Sequence, residues 1–564
     1  MDYQNPSSLQ QLAIQSLLRD EALAINALQH LPRVLFPPLF KEAFTGRYTK
    51  ILKATVAAWP FPCLPVGFLM KTPDLEILKA VLDGLDMLLT QAWPRWCKLK
   101  VVDFQTTHHN SWQGWAGAED TGCIPEAIRK EQTLEDLPVS EGRQPLKIIV
   151  DLCLKFYKLD EYHTYLLHWV KPRKSSLQLC CGKLQVWVLP VYTVIEILKV
   201  FEPDSIQELE LNSWWHLGAL AWFAPYLGQM RNLRKFSIKG TYENIKRVEK
   251  TFLELKYINK FISQFSKLKC LQHLYMNQVN FLTGQMQHLV WCLKSPLETL
   301  SITFSLFTQS DLNHLSQCQS LRHLKHLNLS GIPLYHLCFK PIQDLLESVT
   351  TTLQTLELEE CKLEDSHISA LLPILSQCSQ LTKVNFNDNY ISMPILKDLL
   401  HHTANLSQLT HELYPAPLEC YDYAEIILDR FNQLCPQLMN TLRAIRQPGK
   451  VVFGAEVCSE CDKKCIIWEA TEEHTRWIWY RPDIKHHLGF GSEARHCLAV
   501  GRRGYGPEVC DRIRRGEKKK PQTGNLRGNA IKKLQDGSVK MSRETWEEPE
   551  RTLTALETEL GATA

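Results

Sequence analysis

The sequence predicts an α/β fold, a solenoid of stacked strand-and-helix units, and three observations support this. A chain of 564 residues is too long for one compact core, so a multidomain or repeat architecture is expected. Hydrophobic residues make up 45% and charged residues 22% of the chain, which are ordinary values for globular proteins. The frame L-x-x-L-x-L recurs across residues 206–386 with periods of 26–29 residues and one period of 38.

Each copy of this frame is typical of a short strand that precedes a helix. The copies begin at Ile206, Leu233, Leu271, Leu297, Leu324, Leu353 and Leu381. Their apolar alternation predicts strands with one buried face at 209–211, 236–238, 274–276, 300–302, 327–329, 356–358 and 384–386. Asn389 follows Phe386 at the position where a repeat's side-chain amide bonds the turning backbone, and Cys361 lies near the same turn one repeat earlier. Such units cannot bury their apolar faces alone, so they must stack as leucine-rich repeats.

The flanks of the repeats give weaker patterns. An eighth unit is predicted from Leu406, residues 147–170 have a helical pattern, and residues 177–181 and 184–188 are predicted strands. The chain therefore divides into a helical N-terminal region (1–95), an isolated repeat-like strand (96–104), a polar loop (105–146), an N-terminal flank of the array (147–205), the repeats (206–430), a C-terminal cap (431–469) and a divergent, basic, disordered tail (470–564).

Composition and motifs exclude several classes of function. The net charge of +3 gives no strong attraction to nucleic acid or anionic membranes, and neither a secretory leader nor a membrane span is expected. The 19 scattered cysteines indicate reduced thiols, hence the cytoplasm or nucleus. No phosphate loop, nucleophile elbow or H-E-x-x-H motif occurs. We therefore expect no catalysis, cofactor, metal or small-molecule substrate.

The first residues predict an amphipathic helix. Ser8 and Gln11 have the spacing of a capping box, and Leu9, Ala13 and Leu17 follow at four-residue steps on one face. The helical pattern ends near Leu31-Pro32, because proline cannot continue a helix. Ser8, Leu9, Ala13 and Leu17 resemble an elongin-binding BC box, which implies elongin B/C as partners.

A second motif follows the first. Leu31, Pro32, Leu35 and Leu39 are similar to a cullin-2 box, which asks for an aliphatic residue and proline followed by two spaced aliphatic residues. The order of the two boxes near the N-terminus strengthens the resemblance. The alternative is that these leucines only form a core, as leucines at helical spacing commonly do.

Segments along most of the chain resemble the PRAME (preferentially expressed antigen in melanoma) family. They are residues 15–24, 35–40, 58–63, 79–85, 177–181, 225–230, 296–302, 378–382 and 413–419. The resemblance covers nearly all of residues 9–467. It implies a horseshoe of leucine-rich repeats and a substrate-receptor role in a cullin-2 RING ubiquitin ligase, with an unknown protein target. It also implies repression of transcription, notably retinoic-acid-receptor signalling, with effects on proliferation, differentiation and apoptosis. The alternative is a transcriptional corepressor without a ligase role.

Two L-x-x-L-L sequences raise the question of nuclear-receptor docking. They place Leu85, Leu88 and Leu89 in one motif and Leu396, Leu399 and Leu400 in the other. Short helices of this type bind apolar receptor grooves. The favoured interpretation is that the leucines face the solenoid core, because a core leucine cannot also fill a groove.

The C-terminus departs from the family from about residue 470. Cys458 and Cys461 form one C-x-x-C, while family members carry a second cysteine pair that this chain lacks, so free thiols are favoured over zinc. Residues 512–520 form a basic cluster. It is interpreted as a solvated, disordered tail, with a nuclear-import signal or nucleic-acid patch as the alternative.

Overall fold

The computed structural model describes residues 8–70, 72–90, 98–105, 145–155, 159–212, 215–240, 250–422, 425–456, 465–470 and 475–480. These residues all belong to one compact unit, and residues 487–564 are not among those that the structure describes. The greater part of the predicted polar loop, the Cys458–Cys461 pair and the basic cluster at 512–520 also fall outside the described residues.

One long open sheet runs through the structure with its strands in chain order. Its strands are β1 (Cys63–Pro65), β2 (Val101–Asp103), β3 (Leu146–Leu154), β4 (Leu177–Val186), β5 (Glu208–Leu211), β6 (Lys235–Lys239), β7 (His273–Asn277), β8 (Thr299–Thr303), β9 (His326–Asn328), β10 (Thr355–Glu357), β11 (Lys383–Asn385), β12 (His411–Pro415), β15 (Lys450–Glu456), β16 (Cys465–Ala470) and β17 (Thr475–Tyr480). Neighbouring strands are parallel up to β15. β15, β16 and β17 are antiparallel, and β13 (Tyr421–Asp422) and β14 (Glu425–Ile426) form a separate antiparallel pair.

Within the repeats, a helix connects each strand to the next strand. The helices are α1 (Leu9–Arg19), α2 (Glu21–Ala27), α3 (Phe36–Thr45), α4 (Thr49–Ala57), α5 (Leu75–Thr90), α6 (Glu161–Val170), α7 (Val191–Leu198), α8 (Leu217–Leu227), α9 (Phe252–Ile262), α10 (Met286–Cys292), α11 (Gln309–Ser316), α12 (Lys340–Ser348), α13 (Asp365–Leu375), α14 (Met393–His402) and α15 (Leu428–Ile445). From β4 to β12, strand and helix alternate strictly. This confirms the predicted α/β leucine-rich-repeat fold.

The leucine frame explains the register of the sheet. Leu300, Leu327 and Leu356 lie side by side on β8, β9 and β10, and all three are buried. Residues between the frame leucines point to the opposite face, because side chains alternate along a strand. All seven predicted strands are confirmed to within a residue at either end, and the eighth unit supplies β12.

A residue with left-handed backbone follows each strand from β6 to β11. These residues are Gly240, Gln278, Phe304, Gly331, Glu360 and Asp388, with φ between 51° and 73°. The N–H groups of the first five donate to carbonyls of the next repeat, as Phe304 does to Ser330 at 2.9 Å and Gly331 to Glu359 at 2.8 Å. The parallel ladder of backbone hydrogen bonds therefore continues beyond the strands into the loops.

Asn389 holds the loop after β11 as the sequence predicts. Its Nδ2 donates to the carbonyls of Leu358 at 2.7 Å and Phe386 at 2.9 Å. Its Oδ1 accepts the N–H of Leu363 at 2.9 Å. Cys361 occupies the equivalent position one repeat earlier, and its Sγ lies 3.2 Å from the carbonyl oxygen of Leu329.

The N-terminal part of the sheet differs from the sequence prediction. The strand predicted at 96–104 is not isolated, because β2 pairs with β1 and β3 in the main sheet. Residues 146–154 form β3 rather than the start of a helix, and only Glu161–Val170 is helical. The run Ile148-Ile149-Val150 is β-branched, which favours a strand. The apparent helical spacing came from residues that are buried on both faces of the sheet.

The C-terminal end also differs from the prediction. The chain beyond residue 470 was expected to be unpacked, yet Thr475–Tyr480 forms β17 and pairs in full register with β16. Its sequence, TRWIWY, is rich in aromatic and β-branched residues that favour strands. The ordered array therefore extends ten residues beyond the predicted boundary.

A half-buried carboxylate, that of Asp151, lies at an irregularity in the pairing of β3 with β4. The register shifts between Val150 and Leu152, and Asp151 Oδ1 accepts Gln105 Nε2–H at 2.7 Å and the Lys183 N–H at 3.0 Å. A Cβ on Gly182 would collide with the Gln105 amide, so glycine makes room for this contact. Burial raises the pKa of Asp151 above its ordinary value of 3.8.

This shift predicts how Asp151→Asn changes stability with pH. Because the folded-state pKa is raised, the folded chain binds the proton more tightly, and stability falls as pH rises from the unfolded through the folded pKa. An asparagine Oδ1 accepts the same two hydrogen bonds without the charge. We expect the melting temperature of the Asn variant, relative to wild type, to increase from pH 3.5 to pH 7.

The matched variant is Asp151→Ala. It leaves two part-buried N–H groups without an acceptor, so the loss of these two hydrogen bonds should lower the free energy of unfolding by about 1–3 kcal/mol. A constant difference in melting temperature between Asn variant and wild type across this pH range would contradict the assigned cause.

Candidate functional site

Helix α1 begins as the sequence predicts. Ser8 Oγ accepts the Gln11 N–H at 3.2 Å, and Gln11 Oε1 accepts the Ser8 N–H at 2.8 Å, which completes a capping box. The helix does not continue to Leu31-Pro32 as expected. It ends at Arg19, because Asp20 has extended backbone and its Oδ1 accepts the Leu23 N–H at 3.0 Å to cap α2.

One face of α1 presents apolar side chains to solvent. Leu9 is 86% exposed and Leu12 is 51% exposed, and Ala13 between them is also exposed. Ile14 is buried, and Leu17 packs against the core while remaining partly exposed. Of the four BC-box-like residues, Ser8, Leu9 and Ala13 are therefore accessible to a partner, and Leu17 is accessible in part.

The cullin-2-box-like motif is accessible only at its start. Pro32 is exposed, and Leu31 and Leu35 are half-buried. Leu39 is fully buried and packs with Phe36 and Phe40 in the core face of α3. The structure thus corrects the expectation that Leu39 contacts a partner, since its side chain holds α3 in place.

Sequence reasoning missed three exposed apolar residues near the two boxes. Leu12, Leu23 and Val34 are all more than half exposed, at 51%, 53% and 61%. Leu12 lies three residues after Leu9, so helical spacing could have placed it on the same face. Leu23 and Val34 gave no such signal, because they lie beyond the break at Asp20.

The two L-x-x-L-L sequences lie inside the protein. Leu85 and Leu88 on α5 are buried, and Leu89 is half-buried and packs against the same core. The second set, Leu396, Leu399 and Leu400, is buried on α14. This confirms the interpretation that these leucines face the core.

From the end of β4 to β11, the face of the sheet opposite the core is polar, and we call this part the polar face. At one end, Lys183 and Lys235 flank Glu208 and Glu210 at N–O distances of 3.5–3.8 Å. At the other end, Glu357 accepts Lys383 Nζ–H at 2.7 Å. These ion pairs join neighbouring strands, so much of the charge is already neutralised within the face.

The centre of the polar face is lined by imidazoles and hydroxyls. His273, Thr299 and His326 are register partners on β7, β8 and β9, and His273 Nδ1 lies 2.9 Å from Thr299 Oγ1. Burial lowers the pKa of both histidines below their ordinary value of 6.5. Both are therefore neutral at pH 7, so the centre of the polar face presents hydrogen-bonding groups.

Cysteines and histidines form no metal cluster in the part of the chain that the structure describes. The described cysteines are free thiols, and burial raises the pKa of Cys361 to about 12, which makes it an unreactive thiol. Among the described helices, none has the length and apolar content to cross a membrane.

Comparisons with known proteins point to one family. Residues 6–112 match the PRAME N-terminal domain and residues 146–473 match the PRAME C-terminal domain. Human PRAME family member 12 is 48% identical over 82% of this chain and 95% of its own length. Human PRAME family member 8 is also 48% identical, over 82% of this chain and 97% of its own length.

Solved structures show more distant likenesses. An internalin from Listeria monocytogenes is 14% identical, covers 42% of this chain and 72% of its own, and has a TM-score of 0.25. TLR13 in its complex with ssRNA13 is 13% identical, covers 58% of this chain and 50% of its own, and has the same TM-score.

The structure of α1 predicts that two nearby substitutions change the free energy of unfolding by very different amounts. Leu9→Ala removes a side chain that is almost wholly in solvent, so the free energy of unfolding should change by less than about 0.5 kcal/mol. Ile14→Ala leaves a cavity in the core and should cost about 2–5 kcal/mol. Urea unfolding followed by circular dichroism measures both, and equal losses would mean that α1 packs differently.

Proposed function

Because this chain belongs to the PRAME family, we propose that it is the substrate-recognition subunit of a cullin-2 RING ubiquitin ligase. In this proposal α1 binds elongin B/C, the segment around Pro32 binds cullin-2, and the repeats bind a target protein. The chain itself is a non-catalytic adaptor, since the associated subunits transfer the ubiquitin. It binds neither a small-molecule substrate nor a membrane.

The observation that carries the proposal is the exposed apolar face of α1. A leucine that is 86% exposed gains nothing from folding, but its burial by a partner stabilises the complex by about 1.5–3 kcal/mol. Ala13 is small, so a groove could approach the helix backbone closely. The capping box fixes the helix before binding, which reduces the entropy lost when a partner docks.

The segment around Pro32 supports the second contact. Pro32 and Val34 are exposed next to the half-buried Leu31 and Leu35, so a partner can cover several apolar side chains in this segment. Leu39 would act indirectly, because its burial anchors α3 directly after this segment. We propose that cullin-2 contacts the start of this motif and not its end.

The polar face supports a role in recognising proteins. Its side chains offer carboxylates, amides, hydroxyls and imidazoles in register over neighbouring strands. Such surfaces of repeat proteins bind partners through extended complementary contacts. Through its target, the ligase would repress transcription, including retinoic-acid-receptor signalling, limit differentiation and apoptosis and promote proliferation. It would act in the cytoplasm and nucleus.

A corepressor without a ligase role is the second candidate. The burial of Leu85, Leu88, Leu396, Leu399 and Leu400 weighs against docking to a nuclear receptor through these motifs. A corepressor would also leave the exposed face of α1 without a purpose. We therefore favour the ligase receptor.

Elongin binding tests the first contact. Leu9→Ala should weaken binding to purified elongin B/C about ten- to hundredfold, as expected for the loss of one buried anchor. Ala13→Glu should abolish binding, because it puts a charge into an apolar groove. The matched control is Leu23→Ala, which removes an exposed leucine from α2 and should bind normally. Normal affinity of folded Leu9→Ala and Ala13→Glu variants would refute the elongin contact.

Cullin binding tests the second contact separately. Pro32→Ala combined with Leu35→Ala should retain elongin and lose cullin-2 in a reconstituted pulldown, because the two boxes meet different subunits. Circular dichroism on the same variant excludes unfolding as the cause. If the variant recovers cullin-2 as well as the wild type does, this segment is not the cullin contact.

A further inference from the structure

Apolar side chains are also exposed at the edge of the sheet where β8 and β9 end. Phe304 is 41% exposed, Leu306 is 42% exposed and Tyr335 is 57% exposed. They lie in the loops that follow two consecutive strands. Burying these side chains against a partner would stabilise a complex, because it would remove their exposed apolar area from water.

Hydrogen bonds tie these two loops to each other and to the loop after β7. The Gln309 side chain accepts the Cys338 N–H at 2.6 Å and donates to the Cys338 carbonyl at 3.4 Å. The Leu306 N–H donates to Asn280 Oδ1 at 3.0 Å, and its carbonyl accepts Thr283 Oγ1–H at 2.8 Å. The aromatic side chains are thus presented from a fixed backbone, which lowers the entropic cost of binding.

Phe304 has a strained backbone. Its φ of 51° lies in the left-handed region, which bulky residues avoid. A Cβ on Gly331 would collide with the Phe304 ring, so the ring lies directly over the backbone of the next repeat. A left-handed residue occurs at this position after each strand from β6 to β11, and here it is a bulky aromatic residue that the surrounding fold holds in place.

Carboxylates continue the same row of turn residues. Phe304, Gly331, Glu360 and Asp388 occupy equivalent positions in four consecutive repeats. Glu360 is exposed, and Asp388 is half-exposed. An aromatic ring followed by carboxylates is complementary to a guanidinium or ammonium group. The π face of the ring attracts the cation, and the carboxylates attract it by their negative charge.

We propose that this rim, formed by Phe304, Leu306, Tyr335, Glu360 and Asp388, binds a segment of a partner protein that carries arginine or lysine beside an aliphatic residue. The aliphatic side chain would pack on Leu306 and Tyr335, and the cation would lie between the Phe304 ring and Glu360. This site goes beyond the proposed ligase role and does not depend on it, because its residues are distinct from those of α1.

The test uses the full-length chain and a fluorescein-labelled peptide that repeats Leu-Arg-Ser four times. Fluorescence anisotropy should show saturable binding that weakens as salt is raised, while the corresponding Leu-Glu-Ser peptide should not bind. Phe304→Asn combined with Tyr335→Ser should weaken binding at least tenfold. Asparagine tolerates left-handed backbone, so the variant is expected to fold, and its melting temperature checks this.

Two further variants locate the interaction. Glu360→Gln should reduce both the affinity and its salt dependence, because it removes one charge from the row. Phe252→Ser is the matched control, since Phe252 on α9 is 85% exposed and lies outside the rim, and its affinity should equal that of the wild type. If the double variant fails to fold, Tyr335→Ser alone carries the comparison.

Three outcomes would overturn the proposal. They are unchanged affinity of the folded rim variants, equal binding of the acidic peptide, and a wild-type dimer in sedimentation that the rim variants dissociate. The last outcome would mean that a second copy of the chain covers the rim. Elongin binding should be normal in all rim variants, so failure here is distinguishable from failure of the ligase proposal.

Discussion

A single constraint governs the structure: no repeat can bury its own apolar face. Each frame leucine is covered by the leucines of the strands before and after it, as Leu327 is by Leu300 and Leu356. Stacking satisfies this constraint, and the resulting parallel ladder also satisfies the backbone hydrogen bonds. The ladder extends through the left-handed residues after the strands, so even the loops are fixed by contact between repeats.

This constraint determines which surfaces are free for partners. The frame leucines and the helices enclose the core, which removes both L-x-x-L-L sequences from the surface. Among the described residues, three of the surfaces that remain exposed have distinctive chemistry: the outer side of α1, the polar face and the rim of loops. Each offers different chemistry to a partner: apolar side chains on α1, hydrogen-bonding groups on the polar face, and aromatic rings with carboxylates at the rim.

The repeats could be predicted well from the sequence, because the same leucine pattern recurs every 26–29 residues in most copies, and each copy supports the others. It failed where no repetition was available. β1 and β2 have three residues each, too few to show alternation, and β3 is buried on both faces, which hides its period. The site was predicted only in part, since Leu9 and Leu39 look alike in sequence but one is exposed and the other buried. Exposure depends on which neighbour packs over a residue, and spacing along the chain does not contain that information.

The order of the strands in the sheet has a consequence for how the chain folds during its synthesis. Every strand from β2 to β12 pairs with the strand synthesised immediately before it. A ribosome releases the N-terminus first, so each new repeat can dock on a surface that is already folded, and no strand has to wait for a distant partner. Growth of this kind keeps the contacts local in sequence, which favours rapid folding and limits the time for which apolar strand faces are exposed to other chains.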